Sequence, residues 1–441
     1  MTSDRQMRLG AFLFGLGHHL AAWRHPEADP SALTRFEPIL RSARLAEAAA
    51  FDAVFFADNV GLPGGSLERL SQGPQVYYWE PLTLLAALAT QTERIGLICT
   101  VSATYMPPYH LARKFASLDQ LSGGRTGWNL VTSASDAEAQ NFGLEHQLAH
   151  DDRYARAAEY LQVVTGLWDT WDDDALVLDK EAGRFFDPTK VRRLDHDGPY
   201  YRVRGPLQSG RPVQGRPVIV QAGSSDDGRA LAGASAEVVF TAQQSLAGAQ
   251  AFYADIKARA VAAGRNPADV LIMPGVMPFV AETREAAEAR FQSLQDLVDV
   301  RQALGLLSGL TGTDLSRADL DGPFPDLPPT EGWRGRQELF REVAEDEGLN
   351  LRQLMYRAVS ARGHKVVAGS PQDVADMMQQ WFEAGAADGF NAMPPILPGD
   401  LEAFTRLVVP ELRRRGLFRD AYDGMTLRDH LGLKRPAVGA S

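Results

Sequence analysis

Runs of apolar, β-branched and aromatic residues recur along the chain, with amphipathic stretches between them. Eight have the length and composition of strands: LGAFLFGLG (9–17), FDAVFFAD (51–58), RIGLICTVS (94–102), TGWNLVTS (126–133), PVIVQAG (217–223), AEVVFTA (236–242), VLIMPGVMPFVA (270–281) and DGFNAMPP (388–395). Strands that alternate with helical stretches are the pattern of βα units and a parallel sheet. Eight such units predict an α/β fold, a closed (β/α)8 TIM barrel. Between them Leu111, Phe115, Leu118 and Leu121 fall on one predicted helix face, before Gly123 and Gly124 end the helix. Another helix is expected to start near Asp151 and Asp152 as caps, with Ala158, Leu161, Val164 and Trp168 on one side.

Two spacings are too long for simple βα loops, 172–215 after the fourth strand and about 283–387 after the seventh, and both read as insertions. The second is expected to hold helices over 284–307, 335–346, 350–360 and 371–385 and a Pro/Gly-rich crossing over 322–332. A lid and an outer layer for oligomer contacts suit it equally. Residues 1–441 therefore read as a single barrel domain with two insertions, although the length allows about three domains.

Composition narrows the class. With 45% hydrophobic and 23% charged residues the chain can bury a substantial core. Its 45 basic against 56 acidic side chains give a formal charge of −11, which disfavours nucleic acid and anionic membrane faces. No apolar window is long enough to span a bilayer, and the apolar stretch after MTSDRQMR is broken by Gly15, Gly17, His18 and His19, a poor signal-peptide core. Cys99 is the only cysteine, so neither an internal disulfide nor a thiolate zinc cage is available. The expected setting is the cytoplasm.

In a parallel barrel the C-terminal strand ends and the loops after them form the active-site mouth. Here the first strand runs towards His18, His19 and Trp23, the second ends in Asp58 and Asn59, and the third in Ser102 and Thr104. The fourth contains Asn129 and ends in Thr132 and Ser133; the fifth runs into AGSSDDGR (222–229). That small-residue turn leaves the N–H groups of Gly223, Ser224 and Ser225 open to an anion such as phosphate, with two hydroxyls and Arg229 as further donors. It is equally an ordinary helix cap; Asp226 and Asp227 oppose an anion, and barrel phosphate sites usually follow strands 7 and 8 rather than 5. His150 and Tyr154, four apart at a helix start, reach the same mouth or remain surface groups. Neither HExxH nor GxSxG occurs, and adjacent His18 and His19 on a strand would face apart, so no metal is expected. GxGxxG is also missing, the nearest strings being GLPGG (61–65) and SGGR (122–125). Phe12, Phe14, Trp23, Phe56, Tyr105 and Trp128 suit an uncharged ligand, whereas His18, His19 and Arg192 suit an acidic one.

The strings GHHLAAWRHP, FDAVFFAD, YHLARKFASLDQLSGGRTGWNLVTS, NFGLEHQLAHDDRYARAAEY, VRGPLQSGRPVQGRPVIVQAGSSDDGR, ADGFNAMPPILP, VVPELRRRGLFRDAY and TLRDHLGL carry a resemblance spanning residues 17 to 433. The chain resembles the flavin-dependent two-component monooxygenases of the nitrilotriacetate monooxygenase component A, dibenzothiophene-sulfone monooxygenase and long-chain alkane monooxygenase group, within the bacterial-luciferase-like superfamily. The resemblance implies a luciferase-like TIM barrel that holds FMN, as FMNH2, and receives it from a separate NAD(P)H-dependent flavin reductase. It implies oxidative C–N or C–S cleavage, or hydroxylation, of a small organic substrate through a C4a-(hydro)peroxyflavin, by a homodimer or homotetramer. Carried over by position, Asp58, Thr104 and Asn129 would contact the flavin ring or ribityl chain, and His150, Tyr154, Ser224 and Ser225 the ribityl and phosphate end; His18, His19 and Asn129 are the candidate catalytic residues. Arg192 stands where the family commonly has His, and Met106 where it usually has a polar residue, so the substrate stays open. Two alternatives remain at this level: a deazaflavin-dependent hydride-transfer enzyme on the same fold, and a non-catalytic flavin-binding barrel.

Overall fold

The computed structural model describes residues 5–63, 66–74, 76–330 and 332–439. The first four residues of the charged N-terminus, the last two glycines of GLPGG and position 331 of the 322–332 crossing lie outside the described residues. The strands are β1 (Arg8–Phe12), β2 (Ala53–Phe56), β3 (Gly96–Ser102), β4 (Thr126–Val131), β5 (Leu176–Asp179), β6 (Arg184–Phe186), β7 (His196–Asp197), β8 (Arg202–Val203), β9 (Val218–Gln221), β10 (Val238–Thr241), β11 (Leu271–Val280), β12 (Lys365–Gly369) and β13 (Gly389–Ala392). Eight of them close a parallel barrel in the order β1-β2-β3-β4-β9-β10-β11-β13, with β13 returning to β1. All eight predicted strands are in it. β1 is shorter than its apolar run because Gly15 and Gly17 take positive φ; a Cβ at Gly17 would stand 2.1 Å from the Pro395 carbonyl oxygen.

Alternation along the strands sorts side chains to two sides. Leu97, Cys99, Trp128, Leu130 and Ile219 face the helical layer, where Trp128 lies between Phe115 and Tyr160. Trp128 and Phe56 therefore do not line the mouth as expected; both sit in the layer between strands and helices. Ile98, Val218, Val220, Val238 and Met273 fill the interior, with Leu427 of the C-terminal helix Leu427–Leu431 in the same cluster. Gly96 and Gly127 make room for Leu427: a Cβ on either would meet a Leu427 methyl at 2.4 and 3.3 Å. Phe12, Phe55 and Phe240 form an aromatic layer with centroids 4.7 to 5.6 Å apart. Further along β3 and β4 the inward positions turn polar at Thr100 and Asn129, which pair across the strands.

Two helix faces differ by one position from expectation. Leu121 is exposed and Ser122 buried in Pro108–Ser122, while Ala157 rather than Ala158 is buried in His150–Trp168. A one-residue step turns a helix by about 100°, so a neighbouring position on a mixed face is easily mistaken for it. In the 172–215 segment two short antiparallel hairpins form, β5–β6 and β7–β8. The expected 284–307 helix is two, Arg284–Gln295 and Val300–Thr311, the second opened by Asp299, whose side chain accepts from the Gln302 N–H. The second of these, with Arg334–Glu347 and Leu351–Ala361, contributes to an apolar cluster of Leu307, Phe340, Leu354, Met355 and Val359 that includes Leu20, whereas Leu294 of the first packs into the barrel interior's cluster. β12, unforeseen, runs parallel to the outer half of β11, from Val276↔Lys365 to Val280↔Gly369. Helix Pro371–Glu383 packs Val374, Met378, Trp381 and Phe382 into the main core.

Candidate active site

Loop 222–225 follows β9, and helix Asp226–Ser235 starts directly after it with Ser225 as its cap, the Oγ accepting from the Gly228 N–H at 3.2 Å. Among the described residues the N–H groups of Gly223, Ser224 and Ser225 have no acceptor. The turn is tight because both its glycines are: a Cβ on Gly223 would stand 2.8 Å from the Gly228 Cα and 3.3 Å from the Tyr154 hydroxyl. Tyr154 brings its hydroxyl to 3.5 Å from Ser225 Oγ, and the His150 ring lies 4.8 Å from the Tyr154 ring. His150 Nδ1 stands 3.2 Å from Asp227 and 3.4 Å from Asp151. His150, Tyr154, Ser224 and Ser225 are thus brought to one place, a concave set of N–H and O–H donors at a helix N-terminus. Arg229 does not join them. Its guanidinium pairs with Asp255 at 3.3 Å and Asp226 at 3.8 Å, because two carboxylates on its own side outcompete the loop.

Asn129, inside the barrel, donates from Nδ2 to Thr100 Oγ1 at 2.8 Å, while its buried Oδ1 has no partner among the described residues. A buried acceptor left open is costly unless a ligand completes it. Thr104 Oγ1 donates to the Thr132 carbonyl at 2.6 Å and ties the loop after β3 to the loop after β4. Asp58, just past β2, is half-buried and accepts from the Asn59 N–H at 2.9 Å. Burial pushes its carboxyl up to about 6, against that hydrogen bond and with help from Glu80 and Glu138 nearby.

His18 and His19 follow β1, and their rings face different neighbours. His18 packs on Phe12 and Phe14, and its Nε2 donates to the Phe12 carbonyl at 2.9 Å. Burial and the Arg362 charge lower it to about 3, so it is neutral at working pH. His19 Nδ1 accepts from the Ala21 N–H, and the ring faces Phe279 at 6.4 Å with Gln295 beside it; burial lowers it to about 4. Tyr105 stacks on Phe142 at 4.6 Å, and Trp23 is exposed. Arg192 is spent on Asp172 and, at 2.7 Å, the Asp169 carbonyl, so it pins the start of the 172–215 segment instead of facing a ligand. Three residues that sequence reading missed stand near His18 in its place: Arg336, Arg362 and His364. Arg362 donates to the His18 carbonyl at 2.9 Å, and Arg336 to the Arg362 carbonyl at 2.7 Å and to His364 Nε2 at 3.0 Å. Their only signal in the sequence is two arginines and a histidine within an insertion, at GWRGRQ and ARGHK.

The family model described as luciferase-like monooxygenase matches residues 12–388. The chain belongs to the luciferase-like monooxygenase family. It is 47% identical to N-acetyl-S-(2-succino)cysteine monooxygenase of Bacillus subtilis (strain 168), over 99% of each chain. It is 46% identical to nitrilotriacetate monooxygenase component A of Aminobacter aminovorans, over 99% of this chain and 98% of that one. A crystal structure of riboflavin lyase with modified FMN and riboflavin superimposes with a TM-score of 0.90 at 34% identity, covering 98% of this chain and 97% of that one. This luciferase-like protein is accordingly a flavin-dependent monooxygenase that acts on a small organic molecule. The site fits a flavin. The orphaned Asn129 Oδ1 offers an acceptor to a ring N–H, and the 223–225 turn with Tyr154 offers donors to a charged end group. Among the described residues no helix is long and apolar enough to cross a membrane.

Proposed function

We propose that the flavin is FMN, taken up in its reduced form from a separate NAD(P)H-dependent flavin reductase in the cytoplasm, and that the enzyme cleaves a C–N or C–S bond oxidatively or hydroxylates its substrate. The observation that carries the mononucleotide is the donor set at Tyr154, Ser225 and the free N–H groups of loop 223–225, which suits a phosphate and has no use for an uncharged ribityl end. His150 and Ser224 complete that end, while Asn129, Asp58 and Thr104 line the ring and ribityl side. Reduced FMN supplies, when bound, the two electrons with which dioxygen oxygenates a substrate. Asn129, fixed by Thr100, orients the ring edge. Asp58 holds or releases a proton near pH 6 at the rim. His18, neutral and wedged between Phe12 and Phe14, takes part by position and not as a charged acid; His19 is a catalytic candidate only through its Nε2, on the side of Gln295.

The 283–387 segment acts as a cover. Gly335, at the first turn of helix Arg334–Glu347, lies against the phosphate turn so closely that a Cβ there would stand 2.9 Å from Ser224 Cβ. Shielding of this kind keeps water from the oxygenating chemistry. We also assign a homo-oligomer, supported by the β5–β6 hairpin, which leaves Leu176, Val177, Leu178, Phe185 and Phe186 exposed together. Oxygen uptake with chemically reduced FMN over sulfones, aminocarboxylates and alkanes tests the reading. Substrate-dependent product formation with no reductase present supports it; hydride transfer with no oxygen consumed refutes it.

A further inference from the structure

A deep guanidinium in a folded protein normally meets a carboxylate or spends all its donors on carbonyls. This chain shows both solutions. Arg419 pairs with Asp52, Arg428 with Glu237, and Arg290 with Asp400. Arg125 has no acid but gives five hydrogen bonds, to Thr92 Oγ1 and to the carbonyls of Ser122, Ile95, Ala89 and Thr92. Arg336 and Arg362 follow neither pattern. Among the described residues neither has a carboxylate partner, and between them they make three hydrogen bonds, to the carbonyls of His18 and Arg362 and to His364 Nε2.

Both residues are half-buried, while the side chains around them, His18 and His364, are almost fully enclosed. The His364 ring stacks on Phe240 of the barrel's aromatic layer at 4.8 Å, and Arg362 lies over the Phe14 ring at 4.8 Å. The pair therefore sits above the barrel interior at the mouth. Burial lowers both, and the Arg362 charge adds to it for Arg336, which at about 10 keeps its charge at neutral pH. The fold also sustains a strained backbone here: Arg362 has φ +50° where glycine is favoured, and Gly363 follows at φ +88°. His364 is held neutral, so that its Nε2 lone pair accepts from Arg336 and fixes the plane of that guanidinium. Arg336 is one residue from Gly335, which packs on the phosphate turn, so one helix start spans both places.

We propose that Arg336 and Arg362 form the recognition site for a carboxylate group of the substrate, with His364 as a positioning residue, so that this enzyme takes a di- or tricarboxylate rather than an uncharged molecule. The planar fork of a guanidinium matches a carboxylate through two parallel hydrogen bonds, and two such forks suit a ligand with more than one carboxylate. The inference rests on the monooxygenase reading for the place of the substrate. A flavin phosphate has the same anionic chemistry, but it already has the donors of Tyr154, Ser225 and loop 223–225.

The test is a calorimetric titration of the full-length protein, with FMN bound, by succinate, citrate and nitrilotriacetate and by their methyl esters. Binding of at least one acid, with its ester at least tenfold weaker, is expected. Arg336→Gln and Arg362→Gln should each weaken that acid tenfold or more, and Arg362→Lys should recover part of the loss. FMN and riboflavin affinities should not change. Esters that bind as well as the acids, absence of binding by all three acids, or Gln variants with parental affinity would each overturn the proposal. A loss of FMN but not riboflavin affinity moves the arginines to the phosphate and overturns it too. If Arg362→Gln fails to fold, Arg336→Gln and Arg362→Lys decide the matter alone. Turnover of a neutral substrate with reduced FMN would sink the carboxylate site and leave the monooxygenase reading standing, whereas acid binding without any oxygenation would do the reverse.

Discussion

Tyr154→Phe removes one oxygen from the proposed phosphate end and little else. The Tyr154 hydroxyl is half-buried and stands 3.5 Å from Ser225 Oγ, a distance at the limit of a hydrogen bond, so the free protein has little to lose. Ser225→Ala is a less clean probe, because the same Oγ caps helix Asp226–Ser235 and its loss costs about 0.5–2 kcal/mol of stability. A hydrogen bond from a phenol to a charged phosphate contributes about 1.5–3 kcal/mol. At about 1.4 kcal/mol per decade, Tyr154→Phe should raise the FMN dissociation constant about 10- to 150-fold. Riboflavin lacks the phosphate, so its affinity should stay within about twofold. The assay is flavin-fluorescence titration of parent and variant with FMN and riboflavin, under oxidising conditions and again after dithionite. Equal losses for both ligands would show that Tyr154 supports the loop and not the phosphate. Parental FMN affinity would put the phosphate elsewhere in the mouth.

Asp58→Asn should abolish an inflection near pH 6 in flavin binding or oxygen consumption, an effect read from pH profiles of parent and variant. A carboxyl whose folded pKa is raised binds its proton more tightly when folded, so the parent loses stability as pH rises through about 4 to 6; the variant should melt about 1–3 °C higher than the parent at pH 8 and no higher at pH 4. Arg419→Met strands the buried Asp52 carboxylate, which also accepts from the Leu9 N–H at 2.6 Å, and should cost about 3–5 kcal/mol in urea unfolding; a loss under 1 kcal/mol would mean Asp52 finds water or another cation. Phe185→Asp in the exposed β5–β6 hairpin should lower the mass seen by light scattering if that face joins subunits, and an unchanged mass removes it from the interface. The purified chain with FMN and NADH or NADPH should give no fall in absorbance at 340 nm beyond the buffer blank, whereas steady consumption would mean it reduces its own flavin.

The barrel was legible in the sequence because its strands are local events. Each is a short β-rich run whose alternation is set by the pleat, and several end in polar residues, so Asp58, Thr104 and the 222–225 turn could be proposed from their place after a strand and Asn129 from its place within one. The 222–225 turn carried its donors in small residues followed by a helix cap, although only folding showed that Tyr154 reaches it and that Arg229 leaves it for Asp255. What the chain order hides is whatever depends on closure. Trp128 is aromatic and near a strand end, yet the parity of β4 sends it outward to Phe115 and Tyr160. β12 has no partner in the sequence until β11 extends past the barrel to receive it. The arginine pair is the clearest case: Arg362 reaches the His18 carbonyl from 344 residues away, and neither residue type nor spacing marks such a meeting. An arginine is common on any surface; only the packing of two insertion helices over the mouth leaves these two half-buried and, among the described residues, without a carboxylate.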